Sequence, residues 1–172
     1  MRRLILLRHA KTEIWHEGLS DRDRKLVERG HQDAETVAAQ LDAIGWAPDH
    51  ALVSTARRTR ETWRHVHEVF PACDVKLSDS LYLASVPTLT DLVAQAAGAS
   101  STLIVIGHNP GLHDLAVAIM RKSGASDPRV ARKLEEKLPT GTAVLFESDE
   151  DEAFIPVHFR MTGWVRRKAL LS

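Results

Sequence analysis

The stretch that decides the fold is Thr102-Leu103-Ile104-Val105-Ile106-Gly107-His108-Asn109-Pro110-Gly111. Its first half is a continuous β-branched and aliphatic run, which is typical of a strand buried on both faces of a sheet. A glycine-flanked turn follows at once, and a helix is predicted at residues 112–121. The stretch therefore predicts a strand, a tight turn and a helix in direct succession, as in an α/β fold.

The same alternation continues toward both ends of the chain. Apolar runs predict strands at residues 4–7, 51–53 and 75–77. Helices are predicted at residues 30–44, 56–70, 88–97 and 127–138, and residues 10–29 read as a polar excursion over the surface. Strands that alternate with helices of this length indicate an α/β three-layer sandwich, with a mainly parallel central sheet flanked by helices.

The C-terminal third shows a different pattern. Residues 142–146 and 154–159 predict a β-hairpin whose solvated turn is the acidic run at residues 147–152. The basic segment at residues 164–171 is predicted to form a short helix.

Composition bounds the class of protein. The chain has 172 residues, 23 basic and 23 acidic side chains and a formal net charge of zero, which predicts one domain over residues 1–172 and argues against nucleic-acid or anionic-membrane binding. The single cysteine cannot form an internal disulfide, which fits a reducing compartment. The apolar run near the N-terminus is too short for an export signal, and no run approaches the ~18 residues of a membrane span. We therefore expect a cytoplasmic protein.

Polar side chains follow three of the predicted strands. They are Arg8-His9, residues 54–58, and Gly107-His108-Asn109. In open α/β sheets ligands collect at the carboxyl ends of the strands, so we expect these groups to converge. Imidazoles and guanidiniums without acidic ligands suit a phosphate better than a metal ion, and a glycine-flanked turn into a helix also favours an anion.

The ordered motifs resemble those of the histidine phosphatase superfamily. Leu7-Arg8-His9-Ala10 is similar to its Arg-His-Gly signature, and Ile106-Gly107-His108-Asn109-Pro110-Gly111 to its second-histidine motif. Ser54-Thr55-Ala56-Arg57-Arg58-Thr59-Arg60-Glu61-Thr62 resembles Ser-Pro-x-x-Arg-x-x-x-Thr, an alignment that selects Arg58 rather than Arg57 as the phosphate ligand. Residues 20–30 are similar to the SixA branch, the short phosphohistidine phosphatases.

This resemblance implies a metal-independent phosphatase that needs no cofactor. His9 would attack phosphorus and form a phosphohistidine intermediate, which water then hydrolyses. Arg8 and Arg58 would bind the non-bridging phosphate oxygens, His108 would donate to the same oxygens, and Asn109 is a further candidate phosphate-binding residue. A nucleophilic imidazole must be neutral, and neighbouring arginines lower the pKa of a histidine in the required direction.

The sequence also departs from the family pattern. Thr55 and Lys25 stand where the family often has proline, which should alter loop stiffness more than chemistry. Many members carry a general-acid carboxylate after the third strand, where this chain offers only Asp79. The general acid is therefore left unassigned.

The weak general-acid position favours a phosphohistidine substrate, because the P–N bond is labile and imidazole leaves easily. The partner would then be a phosphorylated protein, such as the histidine domain of a phosphorelay. The alternatives are a small-molecule phosphomonoesterase, a phosphoglycerate-mutase-like transferase, a non-catalytic module that binds phosphoproteins, and a metal-dependent hydrolase.

Most other polar and aromatic side chains are interpreted as structural. Ser54 is expected to cap the following helix, and Arg57 to be a surface or supporting charge. His65 and His67 lie two positions apart on a helix and make a poor metal pair. Trp15 is the aromatic residue most open to a functional role, since its loop could fold over the site.

Overall fold

The computed structural model describes residues 1–151, 153–167 and 169–171. The described strands are β1 (Arg3–Arg8), β2 (His50–Ser54), β3 (Asp74–Ser78), β4 (Thr102–Gly107), β5 (Ala143–Glu147), β6 (Arg160–Arg166) and β7 (Ala169–Leu171). The described helices are α1 (Glu28–Ala43), α2 (Arg57–Val69), α3 (Val86–Ala97), α4 (Gly111–Ser123) and α5 (Pro128–Glu136). Short 3-10 turns lie at Asp21–Asp23, Asp79–Leu81 and Pro156–His158. No helix in these ranges is long and apolar enough to cross a membrane.

The described strands form one sheet in the order β3-β2-β4-β1-β5-β6-β7. The strands β3, β2, β4 and β1 are parallel to one another, and β5, β6 and β7 add antiparallel pairings at one side. The predicted α/β sandwich is confirmed. Its parallel half contains the strands whose polar ends carry the sequence motifs.

Hydrophobic cores cover both faces of the sheet, which explains the continuous aliphatic runs of β1 and β4. Alternate residues of β1 point to opposite faces, so Leu6 packs with α3, α4 and α5, whereas Ile5 packs with α1 and α2. Burying each such side chain fully contributes about 1.5–3 kcal/mol. The two central strands therefore form a rigid support for the residues that follow them.

The C-terminal expectations are wrong in two places. Residues 154–159 are not a strand, because they contain the 3-10 turn at Pro156–His158, and proline lacks the N–H that a strand ladder needs. Residues 164–171 are not a helix, since Trp164 lies within β6 and Ala169–Leu171 form β7. Lys168 of that predicted helix lies outside the described residues, as does Glu152 of the acidic run. The open edge of β5 pairs with β6, and this tertiary pairing overrides the local pattern.

The turn after β4 is held against the loop before α3 by a close backbone approach. A Cβ atom at Gly111 would lie 1.9 Å from the carbonyl oxygen of Ala84, so only glycine fits there. At Gly98, by contrast, a Cβ atom would meet nothing within 4 Å, and the backbone there is right-handed helical, with φ −66°.

We expect Gly111→Ala to lower the free energy of unfolding by about 2 kcal/mol or more, because two backbones must separate. Gly98→Ala is the matched control and should change it by less than about 1 kcal/mol. Urea unfolding of both variants measures the difference. Equal losses would contradict the close approach at Gly111.

Candidate active site

The carboxyl ends of β1, β2 and β4 meet at one edge of the sheet. His9 follows β1, His108 follows β4, and their ring centroids lie 5.5 Å apart. Ser54 ends β2, and Arg58 lies in the first turn of α2. The structure therefore brings together the groups that the sequence places after three separate strands.

His9 is buried and held in one orientation. Its Nδ1 lies 2.8 Å from the carbonyl oxygen of Ala10, and its backbone N–H donates to the carbonyl of Gly107 at 3.2 Å. A carbonyl oxygen can only accept, so Nδ1 carries the proton. The neutral ring then has its lone pair on Nε2, the atom that a nucleophile requires.

The peptide that holds His9 is itself fixed by two distant residues. The hydroxyl of Thr62 accepts from the N–H of Ala10 at 3.0 Å and donates to the carbonyl of Arg58 at 2.8 Å. The N–H of Gly141 lies 2.9 Å from the carbonyl oxygen of His9. Thr62 belongs to the second motif, but the sequence pattern gave no indication of this contact.

Burial is the largest influence on His9 and lowers its pKa to about 3; the hydrogen bond to Ala10 opposes this shift, and the charges of Arg58 and Arg8 add to it. The desolvation cost of the charged ring dominates. His9 is therefore neutral at physiological pH before any anion binds.

His108 has a defined partner on one side and a buried unpaired nitrogen on the other. Its Nε2 lies 2.8 Å from the hydroxyl oxygen of Ser54, which accepts a long 3.4 Å bond from the N–H of Ala56. A hydroxyl can both donate and accept, so this contact is compatible with either neutral tautomer of the ring. Nδ1 is buried and has no hydrogen-bond partner among the described residues.

The contact between Ser54 and His108 bears on the role predicted for Ser54. Ser54 does not cap α2, because the N-cap residue is Ala56 and no side chain caps that terminus, so the predicted capping role is wrong. Burial, followed by the charge of Arg58, lowers the pKa of His108 to about 3. His108 is therefore neutral at physiological pH rather than a cation.

In both predicted phosphate-binding arginines, terminal guanidinium nitrogens are hydrogen-bonded and the Nε atom has no partner among the described residues. Arg8 donates to the carbonyl of Leu138 at 3.0 Å, and Arg58 donates to the backbone carbonyl and the carboxylate of Asp21 at 2.6 Å and 3.0 Å. The Nε atoms of Arg8 and Arg58 are buried without a partner among the described residues. Each guanidinium therefore has an N–H group without an acceptor among the described residues.

Asn109 is oriented by the same carbonyl that anchors Arg8. Its side-chain Nδ2 donates to the carbonyl of Leu138 at 2.9 Å, and its Oδ1 is buried without a partner among the described residues. The amide thus packs beside Arg8 and commits one of its two N–H groups to the backbone. Its predicted contact with phosphate stays a prediction.

Comparisons with known proteins identify the family of this chain. Residues 4–82 match the histidine phosphatase superfamily (branch 1). An uncharacterized protein of Mycobacterium tuberculosis is 36% identical over 140 residues, which cover 81% of this chain and 85% of that protein. The chain belongs to the histidine phosphatase superfamily.

Solved structures extend the similarity over almost the whole chain. A candidate phosphohistidine phosphatase SixA from Agrobacterium tumefaciens has a TM-score of 0.80 and 26% identity, with 95% of this chain and 97% of that chain covered. A mycobacterial glucosyl-3-phosphoglycerate phosphatase has a TM-score of 0.64 and 16% identity, with 97% and 98% covered, and shares the fold. The chain is accordingly a phosphatase of this superfamily.

Asp21 is the main site residue that sequence reasoning missed. Its carboxylate accepts from Arg58 at 3.0 Å, from Arg24 at 3.0 Å and from the hydroxyl of Tyr82 in a short hydrogen bond. Burial alone would raise the pKa of Asp21, but the bonds from Tyr82, Arg24 and Arg58 outweigh it and lower the pKa to about 2. The residue is a permanent anion that fixes Arg58.

Asp79 does not fit the role of the general acid found in many superfamily members. Its carboxylate accepts from the hydroxyl of Thr55 at 2.5 Å and from Arg22 at 3.2 Å, and its side chain is 78% exposed. The hydrogen bonds from Thr55 and Arg22 lower the pKa of Asp79. A carboxyl that is ionised at neutral pH has no proton to deliver to a leaving group.

Two other residues singled out in the sequence, Arg57 and Trp15, make no described hydrogen bond or ring contact with His9 or His108. Arg57 is half exposed and pairs with Glu61 at 3.4 Å, as expected for a surface charge. The side chain of Trp15 is 57% exposed, and no contact of its ring with the histidines is described. Among the described residues, no group of three or more histidine, cysteine or acidic side chains is placed to hold a metal ion.

Titration of the two buried histidines offers a direct check on the site. Their folded pKa values of about 3 lie below the ordinary 6.5, so between these limits the unfolded chain binds more protons. We expect the free energy of unfolding to fall as pH is lowered from about 6.5 toward 3. This decrease in the free energy of unfolding should be smaller in the double variant His9→Gln/His108→Gln. Urea unfolding and imidazole NMR measure both, and pKa values above 6 without phosphate would contradict the assignment.

Replacement of the missed carboxylate tests how Arg58 is held. We expect Asp21→Asn to lower kcat/KM for phosphate release about tenfold or more, because Arg58 loses its charged acceptor and its position. Asp23→Asn changes the same charge on the exposed side of the same turn and should leave small-substrate turnover within about twofold. Steady-state kinetics compare the variants, and equal effects would show that overall charge matters rather than this contact.

Proposed function

We propose that this phosphatase removes the phosphoryl group from phosphohistidine in a protein substrate, with His9 as the transient acceptor. One observation carries the proposal. A buried neutral imidazole with its lone pair on Nε2 lies 5.5 Å from the ring of His108, and His108 Nδ1 and the Nε atoms of Arg8 and Arg58 are buried without a partner among the described residues. Convergent N–H donors in a site of low dielectric stabilise the charge of a transferring phosphoryl group.

In the first step the Nε2 lone pair of His9 forms an N–P bond while the bond from phosphorus to the leaving nitrogen breaks. The leaving imidazole takes that electron pair and departs neutral if its other nitrogen carries a proton. The proton on His9 Nδ1 stays on its bond to Ala10 throughout. Arg8, Arg58 and His108 donate to the non-bridging oxygens during the transfer.

In the second step water attacks phosphorus and the N–P bond to His9 breaks. The electron pair returns to Nε2, the water proton passes to phosphate oxygen, and inorganic phosphate is released. The hydrogen bond to Ala10 keeps Nε2 aimed at the same point in both steps. Two transfers with a good imidazole leaving group replace one displacement by water.

The choice of phosphohistidine over a phosphoester rests on the carboxylates near the site. An alkyl ester needs a proton for its leaving oxygen. Asp21 and Asp79 both have lowered pKa values, and burial raises the pKa of Tyr82, which also donates to Asp21. None of these groups is a ready acid at neutral pH. The 26% identity to the candidate SixA structure points the same way.

A small phosphoester is the second candidate, because the fold is shared with a glucosyl-3-phosphoglycerate phosphatase. The deciding experiment measures phosphate release from a phosphohistidine protein and from an aryl phosphate, with wild type and His9→Ala, in chelator. Faster, His9-dependent release from the phosphohistidine protein supports the proposal. Release from the aryl phosphate alone moves the substrate to small phosphoesters. Transfer to an added acceptor would favour a transferase, and binding without turnover a phosphoprotein-binding module.

Adjacent arginines on α2 provide a matched test of the phosphate ligand. We expect Arg58→Ala to lower kcat/KM by about 10²-fold or more, since its buried donor would be lost. Arg57→Ala should cost far less, because that side chain is 48% exposed and pairs with Glu61. Kinetics on the aryl phosphate suffice for the comparison. The reverse order would mean that the second motif is aligned one residue out of place.

A further inference from the structure

The exposed face of α2 begins with three arginines. Arg57, Arg60 and Arg64 are exposed, while the residues between them are buried. We call these three residues the arginine stripe. At 1.5 Å of rise per residue it extends about 10 Å along the helix. Its first member, Arg57, precedes Arg58 in the chain, so the stripe begins one residue from the predicted phosphate ligand.

The charge of the stripe is only partly compensated. Arg57 pairs with Glu61 at 3.4 Å, whereas Arg60 donates to the backbone carbonyl of Thr55 at 3.0 Å. Within the described part of the chain, neither Arg60 nor Arg64 has a carboxylate at ion-pair distance. The stripe therefore presents free positive charge to solvent.

A surface depression lies along the stripe. It has a volume of about 400 Å³ and is lined by the stripe together with Asp23 and Glu61. Asp23 belongs to the same 3-10 turn as Asp21, whose carboxylate contacts Arg58. The depression and the residue that holds Arg58 therefore share the turn at Asp21–Asp23.

The helix dipole does not favour the arginine at the start of the stripe. Positive side chains near a helix N-terminus oppose the helix dipole, which favours acidic residues there. The first turn of α2 contains Arg57 and Arg58 but no acidic residue. Arg58 is explained by the pocket, and Arg57 and Arg60 bond to Glu61 and to the carbonyl of Thr55, whereas Arg64 makes no described hydrogen bond or ion pair.

We propose that the arginine stripe docks acidic side chains of the protein substrate, beside its phosphorylated residue. This inference rests on the proposed function and adds the surface that selects the protein. Arginine binds carboxylates through parallel N–H donors, and complementary charge raises association rates. In an extended chain at ~3.3 Å per residue, acidic residues three to six positions from the phosphohistidine would span ~10–20 Å and reach the stripe.

The test combines two substrates with charge variants of the enzyme. The substrates are phosphohistidine peptides flanked at those positions by glutamate or by glutamine. The variants are Arg64→Glu, which removes no described contact, and Arg60→Glu/Arg64→Glu. The control is Lys122→Glu, an equal charge change in the last turn of α4, remote from the site. The aryl phosphate serves as a substrate without flanking charge.

We expect wild type to prefer the glutamate peptide, and the double variant to lose about tenfold in kcat/KM on it at low salt. The loss should shrink on the glutamine peptide, and the aryl phosphate rate should stay within about twofold. Lys122→Glu should keep the preference. Equal rates on both peptides with wild type, or equal losses on all substrates, would overturn the docking surface while the phosphohistidine activity stands. No release from either peptide by wild type would instead overturn the proposed function and this inference with it.

Discussion

The pairing of β1 with β4 is the constraint on which the site depends. In their parallel register Arg8 lies opposite Gly107, so the next residues of the two strands, His9 and His108, leave the sheet side by side. A slip of one residue would turn the side chains of β1 to the opposite face and break this match. The buried aliphatic residues of both strands make such a slip costly, because they are packed between two hydrophobic cores. Core packing therefore sets the distance between the two imidazoles.

The electrostatics of the pocket follow from that arrangement. The imidazoles of His9 and His108 are buried near guanidinium groups, and both remain neutral. This is the state that a nucleophile and a neutral donor need. Guanidinium groups gathered in one pocket without an anion would repel one another. The carboxylate of Asp21 accepts from two of them and keeps Arg58 in place. The anion supports the cationic site without occupying the unpaired donors of Arg8 and Arg58.

The sequence was sufficient to predict the sandwich and the convergence of the motif residues, because buried strands and the polar residues after them are local patterns. It was not sufficient for Asp21 or Thr62. Their contacts with Arg58 and Ala10 join residues 37 and 52 positions apart, and no periodicity reports such contacts. The helix predicted for the basic C-terminal segment is wrong for a related reason. Its strand structure comes from the edge that β5 offers, and β5 is placed there by β1.

The segment before β5 provides the rear support of the site. The carbonyl of Leu138 receives Arg8 and Asn109, and the N–H of Gly141 donates to the carbonyls of Arg8 and His9. Yet the three motifs are complete by residue 111. A gene fragment or fusion that ends after α4 would still be recognised by every signature of the superfamily, while lacking the backbone groups that fix its nucleophile. The connection before β5 must therefore be inspected before a truncated or rearranged relative is judged catalytically competent. The side chains of this connection belong to none of the three motifs.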